Sequence, residues 1–366
     1  MAFDKTKIAK ALAQVRDPGT GQDIITRNMV TNLEVEGTNI NFTIELPSLN
    51  NEYKTQLNFA CMEAIQKVYP EANVNIHLSA AGGGTAPQQP NPLPHVKNII
   101  AVASGKGGVG KSTVSVNLAL GLRATGAKVG LIDADLYGPS IPTMMGLTGE
   151  RPKVQHIHGQ PKMLPLYAHD IPVMSIGFII EPQQAVVLRG PRLSGVIKQF
   201  IHECIWPELD YLVIDLPPGT GDIQLTLVQS LPLTGALLVT TPQQVALADA
   251  VKAMNMFLMP SVSVPILGVV ENMSWFTPEE LPENKYYLFG KGGGEKLAQM
   301  SHSKLIGQIP LIQNIRESGD GGTPAVVNPN LSSSTLFKDL AKNIMEQVQK
   351  RNANQSPTKM VNVSDN

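Results

Sequence analysis

Cysteine is nearly absent: Cys61 and Cys204 are the only two in 366 residues. No disulfide framework can be built from them, which fits a reducing compartment, and a cytoplasmic protein is expected. Charge is sparse as well, at 16% of residues with a net of -1, so no broad basic surface is available and nucleic acid is not an expected partner. No apolar stretch approaches the length of a membrane-spanning helix. The N-terminus, Met-Ala-Phe-Asp-Lys-Thr-Lys, has charge but no apolar run behind it, so neither a membrane partner nor a signal peptide is expected. What the chain does have is apolar bulk, 42% of residues, enough for one large domain and a small one.

The most informative stretch is Gly105-Lys106-Gly107-Gly108-Val109-Gly110-Lys111-Ser112-Thr113, placed between an apolar run and a helical pattern over 113–123. It satisfies G-x-x-x-x-G-K-[ST] in a strand-to-helix setting, where glycines let backbone N–H groups turn toward a phosphate and the helix aims its positive end at the same anion. These nine residues are expected to surround the phosphates of ATP. Lys111 neutralises the β- and γ-phosphates, and the Ser112 hydroxyl ligates Mg2+.

Around this loop the chain alternates buried strands and helices. Strands are predicted at 99–104, 128–132, 173–178, 211–214, 236–240 and 266–270. Continuous apolar strands separated by helices predict an α/β fold, a mostly parallel doubly wound sheet covered on both faces, with ligands at the strands' carboxyl ends. Polar residues do gather there: Asp133 and Asp135 after the second strand, Asp215 at the end of Tyr211-Leu212-Val213-Ile214, and Asn272 after the strand at 266–270. Asp215 has the Walker B position, in which a carboxylate holds magnesium.

A separate unit precedes this domain. Ile8, Leu12 and Val15 share a helical face, 30–35 and 40–46 alternate as a hairpin, 53–69 returns to helix, and Val74, Ile76 and Leu78 alternate again. The reading is a small α/β domain, α-β-β-α-β, over residues 1–78. Glycine and proline dominate 79–95, a linker. The ATPase-like domain spans 96–351, and the polar residues 352–366 form a tail. The apolar stripe Leu336, Leu340, Ile344 and Val348 packs onto the sheet. Cys61 and Cys204 both read as buried helix thiols.

The loop with its second lysine, Lys106, resembles the deviant Walker A motif of MinD/ParA-like ATPases. With Asp133-Ala134-Asp135 as switch I and Asp215-Leu216-Pro217-Pro218-Gly219-Thr220-Gly221-Asp222 as switch II, the chain as a whole resembles the Mrp/ApbC family of iron–sulfur cluster carriers. That resemblance implies an ATP-hydrolysing P-loop homodimer in which Lys106 reaches the phosphates held by the partner subunit. It implies that Asp135 positions the attacking water, that Asp133 lies in the magnesium shell with Ser112 and Asp215, and that Gly219 meets the γ-phosphate. Asn272 would contact adenine, and the loop after Pro310 would close over it. Asp222 is either an inter-subunit contact or a helix cap, and Leu188-Arg189-Gly190-Pro191-Arg192 is similar to a family motif near the dimer face.

The small domain is similar to an iron–sulfur assembly domain whose members often carry a cysteine after the second strand, where this chain has Pro47-Ser48-Leu49-Asn50-Asn51. Partners implied are an iron–sulfur scaffold and apoprotein clients. The family's C-x-x-C pair, which builds a bridging [4Fe–4S] cluster across the dimer, has no counterpart: Ser274 to Tyr287 contains no cysteine. Cluster ligands are therefore unassigned, with Cys204 near His202 the one alternative. A nucleotide-dependent partner switch without its own cluster and a MinD/ParA-type positioning ATPase are the competing readings.

Overall fold

A computed structural model describes residues 3–36, 38–46, 53–80, 91–135, 138–157, 159–179, 190–355 and 358. The chain separates into two compact units, Met1–Gln88 and Gln89–Asn366.

In the first unit the helix Lys5–Leu12 starts where Asp4 accepts a hydrogen bond from the Thr6 N–H, a side-chain cap that satisfies one orphan donor of the first turn. Strands β1 (Val30–Glu36) and β2 (Asn39–Leu46) pair antiparallel, and β3 (Asn73–Ala80) lies parallel to β2. The helix Lys54–Val68 links β2 to β3. Ile8, Leu12, Ile40, Phe42, Ile44, Leu57 and Cys61 close one core.

The second unit is built on eight strands: β4 (Val96–Ala103), β5 (Val129–Asp133), β8 (Leu166–Ala168), β9 (Ile171–Ser175), β10 (Leu209–Asp215), β11 (Gly235–Thr240), β12 (Ile266–Phe276) and β13 (Leu305–Leu311). Their order across the sheet is β13-β12-β11-β4-β10-β5-β9-β8, and every pairing is parallel except β8 with β9. The strands are apolar on both sides because helices cover both faces, giving two core layers. A hairpin of β6 (Lys153–Ile157) and β7 (Gln160–Leu164) stands outside the sheet.

The chain leaves central β4 toward β10 and β5 on one side and later returns to β11 on the other. This reversal of strand order opens a crevice at the strands' carboxyl ends. Register then sets the site: Asp215 is level with Asp133 on β5 and with Val102 on β4.

Three expectations shift. The strand predicted at 173–178 ends at Ser175 and passes into a 3-10 turn, Ile176–Phe178. The strand predicted to stop at 270 runs on to Phe276 as β12. The C-terminal helix Ser332–Asn354 extends into the predicted tail. Most of the predicted linker, along with Pro47–Asn51, Leu188 and Arg189, lies outside the described residues.

Candidate nucleotide site

The bend between β4 and the helix Lys111–Ala124 is closed by Gly110 at φ 82°, left-handed backbone that glycine adopts without steric penalty. It also leaves room for a neighbour. A Cβ on Gly110 would sit 2.1 Å from Asn272 Nδ2, and that amide donates to the Val109 carbonyl at 2.9 Å. Asn272 thus braces the loop from β12. One N–H of the amide expected to meet adenine is engaged with the P-loop. Gly105 is required by packing: a Cβ there would lie 2.0 Å from the Asp249 backbone.

The cavity over the loop measures about 240 Å³ and is lined by Lys106, Gly107, Gly108, Gly110, Lys111, Ser112, Thr113, Asp135 and Pro218, among others. Beneath it the charged groups converge. The Lys111 ammonium lies 2.8 Å from Asp215 Oδ2 and 3.2 Å from Asp135 Oδ2. Ser112 Oγ donates to Asp215 Oδ2 at 2.6 Å, and Ser115 Oγ lies 2.6 Å from Oδ1 of the same carboxylate. Burial pulls the Lys111 ammonium down, but Asp215 and Asp135 outweigh it and hold the group above its ordinary value.

Asp133 lies beneath the cavity at the end of β5. It is wholly buried, with Oδ2 2.8 Å from Ser175 Oγ and Oδ1 accepting the Asp135 N–H at 3.1 Å. Burial, and the charge of Asp215 beside it, push its pKa up to about 8, so at neutral pH it is mostly protonated. With both oxygens engaged by Ser175 and the Asp135 N–H, Asp133 positions Asp135. Gly219, at φ 95°, donates its N–H to the Ser104 carbonyl at 2.9 Å, so the donor expected at the γ-phosphate holds switch II against β4. Asp222 opens the helix Asp222–Gln229, the position of a first-turn acid.

Sequence reasoning missed Ser115, Ser175 and Glu271. Ser115 is one turn on from Lys111, a spacing that puts both on one helix face, and this signal was available. Glu271 is buried with Oε2 accepting the Gly294 N–H at 2.7 Å and Oε1 accepting from Gln308 at 3.0 Å. Pro310 lines a second cavity, at the ends of β12 and β13.

The donor set at Ser112 and Asp215 is all hard oxygen, the chemistry magnesium takes. Asp215, Asp135 and Asp133 gather there around the one Lys111 ammonium, a surplus of acidic groups that suits a divalent cation. Thiolate chemistry is another matter. Both cysteines are buried and burial pushes each thiol up to about 12, and among the described residues no three His, Cys, Asp or Glu are grouped to hold a metal ion.

Residues 95–345 match the family described as NUBPL iron-transfer P-loop NTPase. The chain belongs to this family. Residues 5–78 of this NUBPL-family chain match a second family, described as iron-sulfur cluster assembly protein. The iron-sulfur cluster carrier protein of Synechocystis sp. is 43% identical over 348 residues, 93% of this chain and 97% of the relative. That of Haemophilus influenzae is 44% identical over 349 residues, 94% and 92% of the two chains. Among solved structures, a nucleotide-binding protein in complex with ADP from Archaeoglobus fulgidus is 38% identical with TM-score 0.55, covering 63% of this chain and 88% of that one. The cell division ATPase MinD of Pyrococcus furiosus is 25% identical with TM-score 0.50, covering 68% and 99%. No helix among the described residues is long and apolar enough to cross a membrane.

Proposed function

We propose that this P-loop NTPase binds and slowly hydrolyses ATP with Mg2+ as a homodimer, and that it carries iron–sulfur clusters from a scaffold to apoprotein clients. The observation that carries the reading is the convergence of Lys111, Ser112, Asp135 and Asp215 under a cavity lined by the glycine loop. Ser112 and Asp215 would hold magnesium, which when bound neutralises phosphate charge. Lys111, now paired with Asp135 and Asp215, exchanges those partners for phosphate oxygens. Asp135 is thereby released to orient water, a task of alignment more than of basicity. Lys106 reaches toward the partner's phosphates, as the resemblance implies.

A second reading, a nucleotide-dependent partner switch without its own cluster, is favoured by one observation: both thiols are buried and protonated. Anaerobic reconstitution with iron and sulfide separates the two, with bound iron per dimer measured in wild type and Cys204→Ala. Iron retained by wild type supports the carrier; none in either protein supports the switch. ATP hydrolysis tests what both readings share. Lys111→Ala is expected to lose at least about 100-fold in rate, the scale of removing one preorganised charge-stabilising group, and unchanged hydrolysis would refute the assignment.

A further inference from the structure

The second unit protects the edges of its main sheet. On one side β13 carries Pro310, and on the other β8 is three residues long; proline and short edge strands both discourage a further strand. The β6–β7 hairpin is built differently. β6 is five residues in continuous register with β7, without a proline or a bulge.

One side of this hairpin is occupied. The Met163 N–H donates to the Glu203 carbonyl at 2.8 Å and the Ile205 N–H donates to the Met163 carbonyl at 2.9 Å, so residues 203–205 lie along β7. Lys162 Nζ donates to the His202 carbonyl at 3.0 Å, at the end of the helix Gly190–His202, where a cation satisfies a last-turn carbonyl. The hairpin is thus held from β7.

The same bonds decide which way β6 faces. Met163 lies opposite Val154, and with both of its backbone groups turned toward 203–205 the two residues form a non-hydrogen-bonded pair. Bonded and non-bonded pairs alternate along an antiparallel ladder, so His156 with Pro161 is the next non-bonded pair. Pro161, with no N–H to give, fits there. Val154 and His156 therefore turn their N–H and C=O groups outward, on the side of β6 that no strand covers among the described residues. A row of such groups is what an added strand binds.

The charge of the hairpin has one sign. Residues 151–164 include Arg151, Lys153 and Lys162 and no Asp or Glu, in a chain of 29 Lys and Arg against 30 Asp and Glu. Lys153 is exposed, and Val154, next along the strand and so on the other face, is 59% exposed. An incoming strand with carboxylates on one face and aliphatic side chains on the other meets both. A second copy of the hairpin would instead bring like charge, which disfavours pairing between copies.

We propose that β6 is a docking edge for an extended acidic segment of another protein, which joins the hairpin as an added strand. The edge is separate from the nucleotide cavity and shares no lining residue with it.

The probe is a short fluorescent peptide of alternating Glu and Val, titrated against the full chain. Saturable binding that weakens with added salt is expected, with hydrogen exchange slowed at residues 153–157. The same peptide with Lys in place of Glu should not bind. Lys153→Glu, at an exposed position, should fold and weaken the Glu–Val peptide about fivefold or more, the scale of one surface charge pair. Val154→Pro removes an outward N–H while leaving the ladder to β7 intact, and is expected to abolish binding with the melting temperature unchanged. Absence of saturable binding, equal affinity for the Lys–Val peptide, unchanged affinity in Lys153→Glu, or protection away from β6 would each overturn the proposal. A single-stranded oligonucleotide that binds more tightly than the peptide and protects the same strand would overturn it too, the basic edge then serving a nucleic acid.

Discussion

A carboxylate buried without a cation of its own gives up its charge, and Asp133 does so. Its two neighbours, Asp135 and Asp215, pair with Lys111 instead. The consequence appears in stability. In metal-free, nucleotide-free protein the folded chain keeps a proton on Asp133 up to about pH 8, whereas its ordinary value is 3.8. Within that window the native state binds the extra proton, so stability falls as pH rises. Asp133→Asn supplies the same contacts without titrating. Its chemical denaturation midpoint should vary less between pH 5 and 8 than that of wild type, most visibly toward pH 8; parallel curves would show that Asp133 is ionised in the fold. The sequence placed both aspartates at the carboxyl end of the sheet, where Asp133 closes β5 and Asp135 lines the cavity. It could not separate their roles, because the cause is Ser175 on a neighbouring strand and the register of Asp133 with Asp215.

At the scale of elements, strands buried on both faces were legible because an apolar run between breakers has few other readings. Elements that break that rule were not. β13 contains Pro310 and lies at the edge of the sheet, where a missing N–H is tolerated. The end of β12 carries Glu271, Asn272 and Ser274, polar residues that look like a loop until their partners are seen. Glu271 binds Gly294 and Gln308, Ser274 Oγ donates to the Glu271 carbonyl, and Asn272 holds Val109. The β6–β7 hairpin is largely exposed and so has no apolar signature.

The join between β12 and the P-loop is testable. Gly110→Ala meets two penalties, a left-handed φ costing about 1–2 kcal/mol and a Cβ driven into Asn272. Displacing Asn272 also orphans the buried Val109 carbonyl, about 1–3 kcal/mol more. A lower melting temperature and weaker ATP binding are expected. Pairing Gly110→Ala with Asn272→Ala removes the clash but not the strain, so the double variant should be less unstable than the two single losses added together. Strict additivity would show that Asn272 does not brace the loop.

Across the whole molecule, the glycine loop presents two lysines to one cavity. Lys111 is committed inside, paired with Asp215 and Asp135, whereas Lys106 lines the cavity one residue after the loop's first glycine, its carbonyl fixed by Ser104 Oγ at 3.0 Å. The family resemblance implies that Lys106 reaches phosphates held by another subunit, and hydrolysis would then depend on assembly. In sedimentation with ATP and Mg2+, wild type is expected to shift toward dimer, and its turnover per chain should rise with protein concentration. Lys106→Ala should bind ATP within about threefold of wild type, one half-buried rim charge contributing under about 1 kcal/mol, yet stay monomeric and lose the concentration dependence. If Lys106→Ala dimerises and turns over as wild type does, the second lysine serves only its own subunit, and the coupling of hydrolysis to pairing must come from another part of the surface.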